Sequence, residues 1–97
     1  MPKPNPASRA PELQHQLRQI LGHDQIKVKP YGNHLLIQLV QDEEADTMAR
    51  LTELGHGAYG AAFRSLTGRW EPLPGTGPLK EMAELVTTLI RPYLQPY

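Results

Sequence analysis

The sequence predicts an α+β fold: a four-stranded, mainly antiparallel sheet made of two hairpins, with helices packed on it in the order α-ββ-α-ββ-α. Apolar residues recur at helical spacing in three segments, which predicts the helices. Short alternating segments around glycine-containing turns lie between them and predict the hairpins. A chain of 97 residues, 39% of them hydrophobic, has room for one small core. We therefore expect residues 11–97 to form a single domain.

The first ten residues contain Pro2, Pro4 and Pro6 among mostly polar neighbours. Proline fixes the backbone and removes an amide donor, and this segment has little apolar surface to bury. Residues 1–10 are therefore predicted to form a disordered tail.

The first helix is predicted in the segment PELQHQLRQILG. Pro11 suits the first turn of a helix, and Gly22 suits its C-terminal cap. The apolar residues of this segment share one helical stripe: Leu13, Leu17, Ile20 and Leu21.

A hairpin is predicted in the segment QIKVKPYGNHLLIQLVQ. Its first strand alternates between apolar and basic residues: Ile26, Lys27, Val28 and Lys29. Gly32-Asn33 supplies the turn. The returning strand, residues 34–40, is apolar on both faces, which indicates a central position in the sheet.

A second helix is predicted in the segment DEEADTMARLTELGHG. Asp42, Glu43 and Glu44 suit the positive end of a helix dipole, and Gly55 suits the end of the helix. The apolar residues of this segment recur at helical spacing: Ala45, Met48, Leu51 and Leu54. The acidic cluster also resembles a metal or acid–base site, but a solvated first helical turn explains it better.

A second hairpin is predicted in AAFRSLTGRWEPLP, with its turn at Thr67-Gly68, and PLPGTGP is predicted to lead from the sheet to the last helix. That helix, in GPLKEMAELVTTLIRPYL, is predicted to end or kink before Pro92. Its apolar stripe comprises Leu79, Met82, Val86, Leu89, Ile90 and Tyr93. The motif M-A-x-L occurs at residues 48–51 and 82–85, which leaves open a duplicated ββα unit.

Composition excludes several kinds of site and partner. Lys plus Arg and Asp plus Glu number ten each, and this balance argues against bulk duplex DNA or an anionic membrane as the partner. The absence of cysteine excludes disulfides, thiolate metal sites and cysteine nucleophiles. No apolar run approaches the roughly 20 residues that a membrane span needs, and no signal segment is visible, so a cytoplasmic location is expected.

The residue patterns predict no catalytic, metal or cofactor site. The histidines do not form a metal-binding pair on one predicted helix: His15, His23, His34 and His56. Ser65 lacks the flanking glycines of a nucleophile elbow, and the GTG before the last helix lacks the spacing of a phosphate-binding loop. We therefore expect that the protein is not an enzyme and uses no cofactor.

One face of the predicted sheet combines basic and aromatic residues. If Ile26 and Val28 point to the core, strand alternation places the basic residues of this hairpin on the opposite face. The residues predicted to lie on or beside that outer face, and to bind a partner there, are Lys27, Lys29, Tyr31, Arg64, Arg69 and Trp70.

Strand parity leaves two positions for Trp70. It lies either beside Phe63 in the core or beside Arg64 on the outer face, depending on the register that the turn sets. A buried or half-buried tryptophan is the expected outcome, because its large ring has apolar area to bury.

Two functions are compatible with these patterns. The first is a small, non-enzymatic interaction module that binds a protein partner or forms a homodimer. The alternative is a module that binds single-stranded nucleic acid or RNA, because cations pair with phosphates and aromatic rings stack on bases. A polar sheet face and lysines on an edge strand are also ordinary structural features, and the sequence favours the interaction module.

Overall fold

A computed structural model describes residues 6–95 of the chain. Short 3₁₀ turns, Pro6–Arg9 and Arg91–Leu94, lie at the two ends of the described region. Between them are two helices and five strands, in the order α1 (Ala10–Leu21), β1 (Ile26–Tyr31), β2 (His34–Gln41), β3 (Glu44–Gly55), β4 (Ala58–Arg64), β5 (Trp70–Gly77) and α2 (Leu79–Ile90).

The strands form one antiparallel sheet in which each strand pairs with the next along the chain, in the order β1-β2-β3-β4-β5. The α+β class is therefore confirmed. The predicted four strands and the order α-ββ-α-ββ-α are wrong, because a fifth strand stands where the middle helix was expected. The repeated ββα unit fails for the same reason, since residues 48–51 lie in a strand and residues 82–85 in a helix.

The middle segment forms β3 because its pattern fits two periods. Apolar residues recur every third position, as in a helix, but Ala49 and Leu51 also alternate with the polar residues Arg50 and Thr52. In the structure Ala49 and Leu51 are fully buried, opposite Ile37 and another apolar residue of β2. Pairing with a strand on each side outweighs the moderate helix propensity of this segment.

The acidic cluster forms a hairpin turn instead of a helix N-terminus. Asp42 and Glu43 connect β2 to β3 and have φ angles of 50° and 67°. Positive φ at both central residues is the pattern of a type I′ turn, whose twist matches that of the flanking strands. The predicted turn at Gly32-Asn33 is observed between β1 and β2.

The segment WEPLPGTG forms β5 and stays on the sheet through Gly77, whereas it was expected to leave the sheet earlier. Pro72 and Pro74 are tolerated there because β5 is an edge strand, where a missing amide donor breaks no central ladder. The hairpin predicted around Thr67-Gly68 is observed, with residues 65–69 connecting β4 to β5.

Both helices pack on the same face of the sheet. The helix α1 lies against β1, α2 lies against β4 and β5, and the helices contact each other. The first helix has the predicted stripe and ends at Gly22, whose left-handed backbone lets its amide donate to the Arg18 carbonyl at 2.9 Å. The fully buried core side chains include Leu13, Leu17, Ile26, Leu35, Ile37, Leu51, Tyr59 and Val86.

The two ends of the described chain differ from the sequence prediction. Leu89 and Tyr93, assigned to the buried stripe of the last helix, are 46% and 43% exposed, and α2 ends at Ile90, before Pro92. Of the predicted tail, residues 1–5 lie outside the described residues. Residues 6–9 form the first 3₁₀ turn, and Ala10 is the buried first residue of α1.

The two helices offer a matched test of the core. Leu17→Ala is expected to lower the free energy of unfolding by about 2–5 kcal/mol, because Leu17 is fully buried and truncation leaves a cavity. Leu89→Ala is expected to cost about 1 kcal/mol or less, because half of that side chain is already in solvent. Urea unfolding followed by circular dichroism measures both, and equal losses would contradict the assigned core.

The turn between β2 and β3 predicts that glycine at position 43 stabilises the protein, whereas glycine inside a helix would destabilise it. Glu43→Gly is expected to raise the free energy of unfolding by about 0.5 kcal/mol. Glycine avoids the cost of about 1–2 kcal/mol that the left-handed backbone imposes on a residue with a side chain, but it loses about 0.5–1 kcal/mol more conformational entropy on folding. The control Glu44→Gly, within β3, is expected to lower it by about 0.5–1 kcal/mol. Comparable destabilisation by both substitutions would contradict the turn.

Candidate functional site

The candidate site is the face of the sheet that carries no helix, which we call the open face. Cross-strand pairs assign its residues, since directly opposed residues point to the same side. Lys29 lies opposite Leu36, Leu36 opposite Arg50, and the row continues through Ala62 to Pro72. With the neighbouring rows, the open face comprises Lys27, Lys29, Tyr31, His34, Leu36, Gln38, Val40, Ala45, Thr47, Arg50, Thr52, Leu54, Gly60, Ala62, Arg64, Trp70, Pro72 and Thr76.

The open face contains cations and no carboxylate. Its charged residues are Lys27, Lys29, Arg50 and Arg64. All ten acidic residues of the chain lie elsewhere: on the helices, in the loop before β1, at the β2–β3 turn, or at strand positions on the helix side, namely Glu12, Asp24, Asp42, Glu43, Glu44, Asp46, Glu53, Glu71, Glu81 and Glu84. A chain of zero formal net charge therefore has one distinctly positive surface.

A cavity of about 260 Å³ opens on this face. The cavity extends across the sheet, from Tyr31 at the end of β1 to Arg64 and Trp70 in the β4–β5 hairpin. The lining residues are Tyr31, His34, Leu36, Thr47, Arg50, Arg64 and Trp70. The cavity thus combines aromatic, cationic and small apolar groups.

Trp70 lies on the open face, opposite Arg64, and is half-buried. The register therefore decides between its two predicted positions in favour of the outer one. The Arg50 guanidinium carbon is 4.4 Å from the centroid of the Trp70 ring, a cation–π contact that holds both side chains over the sheet. The Nε atom of Arg50 is buried and has no hydrogen-bond partner among the described residues.

His34 supplies a titratable group in the same cavity. Its Nδ1 shares a hydrogen bond of 2.8 Å with the hydroxyl of Thr52, which orients the ring. Burial lowers the pKa of His34 below its ordinary value of 6.5, and the nearby charge of Arg50 lowers this pKa further. The lowered pKa favours the neutral ring, so the lysines and arginines supply most of the positive charge of the open face.

The structure brings five of the six predicted binding residues together on the open face: Lys27, Lys29, Tyr31, Arg64 and Trp70. Arg69 differs, because it lies exposed in the turn before β5, where its carbonyl accepts the Ser65 amide at 2.8 Å. Arg50 was missed because its segment was predicted to be a helix. The alternation of Ala49 and Leu51 around it was the signal that could have found it.

Comparison of the chain with protein-family models, with curated proteins and with solved structures finds no match. Within residues 6–95, no helix is long and apolar enough to cross a membrane. The same residues contain no cluster of three or more histidine or acidic side chains that could hold a metal ion. The geometry of the open face is therefore the basis for a functional proposal.

The environment of His34 predicts its titration. Nuclear magnetic resonance of the ring is expected to give a midpoint below 6.5 in the native protein, and Arg50→Gln is expected to move that midpoint upward by removing one of the two causes. Tyr31, Arg50 and Arg64 are the other ionisable groups lining the cavity. The urea-unfolded chain is the control and should titrate near 6.5.

The shift also has a consequence for stability. A histidine whose pKa is lower in the folded chain binds fewer protons there than in the unfolded chain, so its contribution to stability is present above about pH 6.5 and is lost as the pH falls through the folded pKa. A native midpoint at or above 6.5 would contradict the assigned environment.

Proposed function

We propose that the protein is a non-enzymatic binding module that uses the open face to bind a partner rich in anionic groups. The separation of charge between the two faces supports this most directly. The strands of the open face carry four cations, Lys27, Lys29, Arg50 and Arg64, and no carboxylate. Cations on one surface attract an anionic partner over several ångströms and speed its association.

The cations are also available for a partner. Lys27 and Lys29 are exposed on the edge strand β1, and Arg64 is exposed on β4. The ion pair that the described residues contain within 4 Å, Arg9 with Glu12, lies on the helix side of the molecule. An incoming anion therefore does not have to displace an internal carboxylate from these side chains.

The partner we propose is another molecule and not a second copy docked through the same face. A symmetric dimer brings the same patch of both subunits together, so it would place the lysines and arginines of one copy against those of the other. Like charges in such an interface cost free energy. Pairing through the sheet edges is hindered as well, because Pro30 lies on β1 and Pro72 and Pro74 lie on β5.

Polyanions test this proposal. Poly-glutamate and inorganic polyphosphate are expected to bind in low salt, to shift the amide resonances of open-face residues, and to dissociate as salt rises. The double variant Lys27→Gln/Lys29→Gln should weaken binding about fivefold, since each exposed ion pair contributes about 0.2–1 kcal/mol.

The control is Lys80→Gln, which removes one positive charge from the exposed side of α2 and should leave the affinity nearly unchanged. If no polyanion of any kind binds, or if Lys80→Gln weakens binding as much per charge as the β1 variant, the proposed function is wrong.

A further inference from the structure

Resting on the proposed function, we propose that the anionic partner is single-stranded nucleic acid. An unpaired base occupies the open-face cavity against its aromatic side chains, and the adjoining phosphates contact the cations on either side. This assignment goes beyond a charged surface, because it requires that flat rings and cations lie in one continuous site.

The rings are present in that cavity. Tyr31 is 67% exposed at one side of it, Trp70 is half-buried at the other, and His34 lies between them. Two thirds of the surface of Tyr31 is thus left in solvent by the described chain. Stacking on a base covers such a ring, and every base has a π face with which to do so.

The charges have the matching arrangement. Lys27 and Lys29 lie on β1, next to Tyr31, while Arg64 lies opposite Trp70 on β4. Neighbouring strands lie about 4.8 Å apart, so the two cationic groups are separated by roughly 15 Å, with the aromatic cavity between them. A nucleic-acid strand that crosses the sheet from β1 toward β5 therefore meets cations on both sides of the stacking site.

Arg50 links the two halves of the site. Its guanidinium stacks on Trp70 at 4.4 Å, and its charge lies at the cavity wall. A guanidinium held over an aromatic ring places a cation directly beside a π surface in the cavity wall, which suits a base and its phosphate at once. The contact also holds the Trp70 ring in place before a ligand binds, so less side-chain entropy is lost on binding.

An acidic protein segment fits this face less well. Protein partners that dock on sheets commonly add a strand at an edge, and prolines obstruct both edges here. They otherwise bury a contiguous apolar patch. Of the large apolar side chains that are exposed among the described residues, Tyr31 and Leu54 lie on the open face. The others lie elsewhere, Leu66 in the β4–β5 turn and Leu89 and Tyr93 near the end of the described chain, so the set does not form one patch.

Duplex nucleic acid is also a poorer match. Its bases are stacked on each other and cannot enter a cavity without being unpaired first. The remaining attraction would come from phosphates alone, and the zero net charge of the chain weakens it at distance. Single strands avoid both costs.

The test uses the whole chain and three probes: a ten-nucleotide oligo-dT, the same length of oligo-U, and poly-glutamate. Either oligonucleotide is expected to change the fluorescence of Trp70, the single tryptophan, and to bind with an affinity that falls steeply with salt. Tyr31→Leu is expected to weaken oligonucleotide binding about tenfold, because it removes one stacking platform. The same variant should leave poly-glutamate binding unchanged.

Tyr93→Leu is the matched control. It makes the same substitution at another partly exposed tyrosine, in the second 3₁₀ turn away from the open face, and should not alter oligonucleotide binding. Trp70→Leu should act as Tyr31→Leu does. Because Trp70 is half-buried, its substitution is checked by circular dichroism, and if that variant does not fold, the exposed Tyr31 decides the result.

The outcomes separate the two proposals. Binding of poly-glutamate as tight as that of the oligonucleotides, or an equal loss for both probes in Tyr31→Leu, would overturn the nucleic-acid assignment and leave the anionic-partner function standing in favour of an acidic protein. Binding of duplex dT·dA as tight as single-stranded oligo-dT would also overturn it. No binding of any of the polyanions would overturn both proposals.

Discussion

The pairing of β3 between β2 and β4 is the constraint on which the rest of the structure depends. It places Leu51 opposite Leu35 and Ala49 opposite Ile37, and so directs one set of side chains to the helices. A slip of one residue would send this apolar set to solvent and Arg50 into the core, because side chains alternate between the faces of a strand. The cost of burying an unpaired guanidinium makes that slip unfavourable, so the same residue that marks the open face also secures the register.

That register has a further effect at the bulge between Ile37 and Gln38, where β3 contributes an extra residue. Beyond the bulge the strands regain their alternation, so that Gln38 and Thr47 meet on the open face and join through a hydrogen bond of 3.1 Å. A bulge also increases local twist, and twist bends a wide sheet into a shallow trough. The open-face cavity is lined by side chains of these strands, Thr47 among them, and it forms without a helix on that side.

The sequence correctly predicted the elements for which apolar spacing, capping residues and turn residues all indicate the same structure. The first helix combines a proline, a leucine stripe and a terminal glycine, and the β1 hairpin combines alternation with a Gly-Asn turn. The middle segment contains strong helix formers, and the spacing of its apolar residues fits a helix as well as a strand. Local propensity therefore favoured a helix, whereas pairing with the neighbouring strands favoured β3. Because the residues of β3 were predicted to form a helix, Arg50 was not assigned to the outer face. Lys27, Lys29 and Tyr31 were assigned to it because their strand was predicted correctly. The position of Trp70 depended on register, which turn residues alone do not reveal.

The contrast between the two faces supports the proposal that the open face is an interaction surface and not merely the polar side of a sheet. A face that needs only water could carry acidic and basic residues together, and mixed charges would stabilise it through cross-strand pairs. Here opposite charges do not face each other across the strands of the described sheet. Half-buried Leu36 lies on β2 instead, and the ring of half-buried Trp70, from the edge strand β5, contacts the guanidinium of Arg50 on the central strand β3. Cations beside one another repel, so the arrangement lowers the stability of the free protein. The anionic partner that we propose would relieve that repulsion, and the free energy recovered would then favour binding.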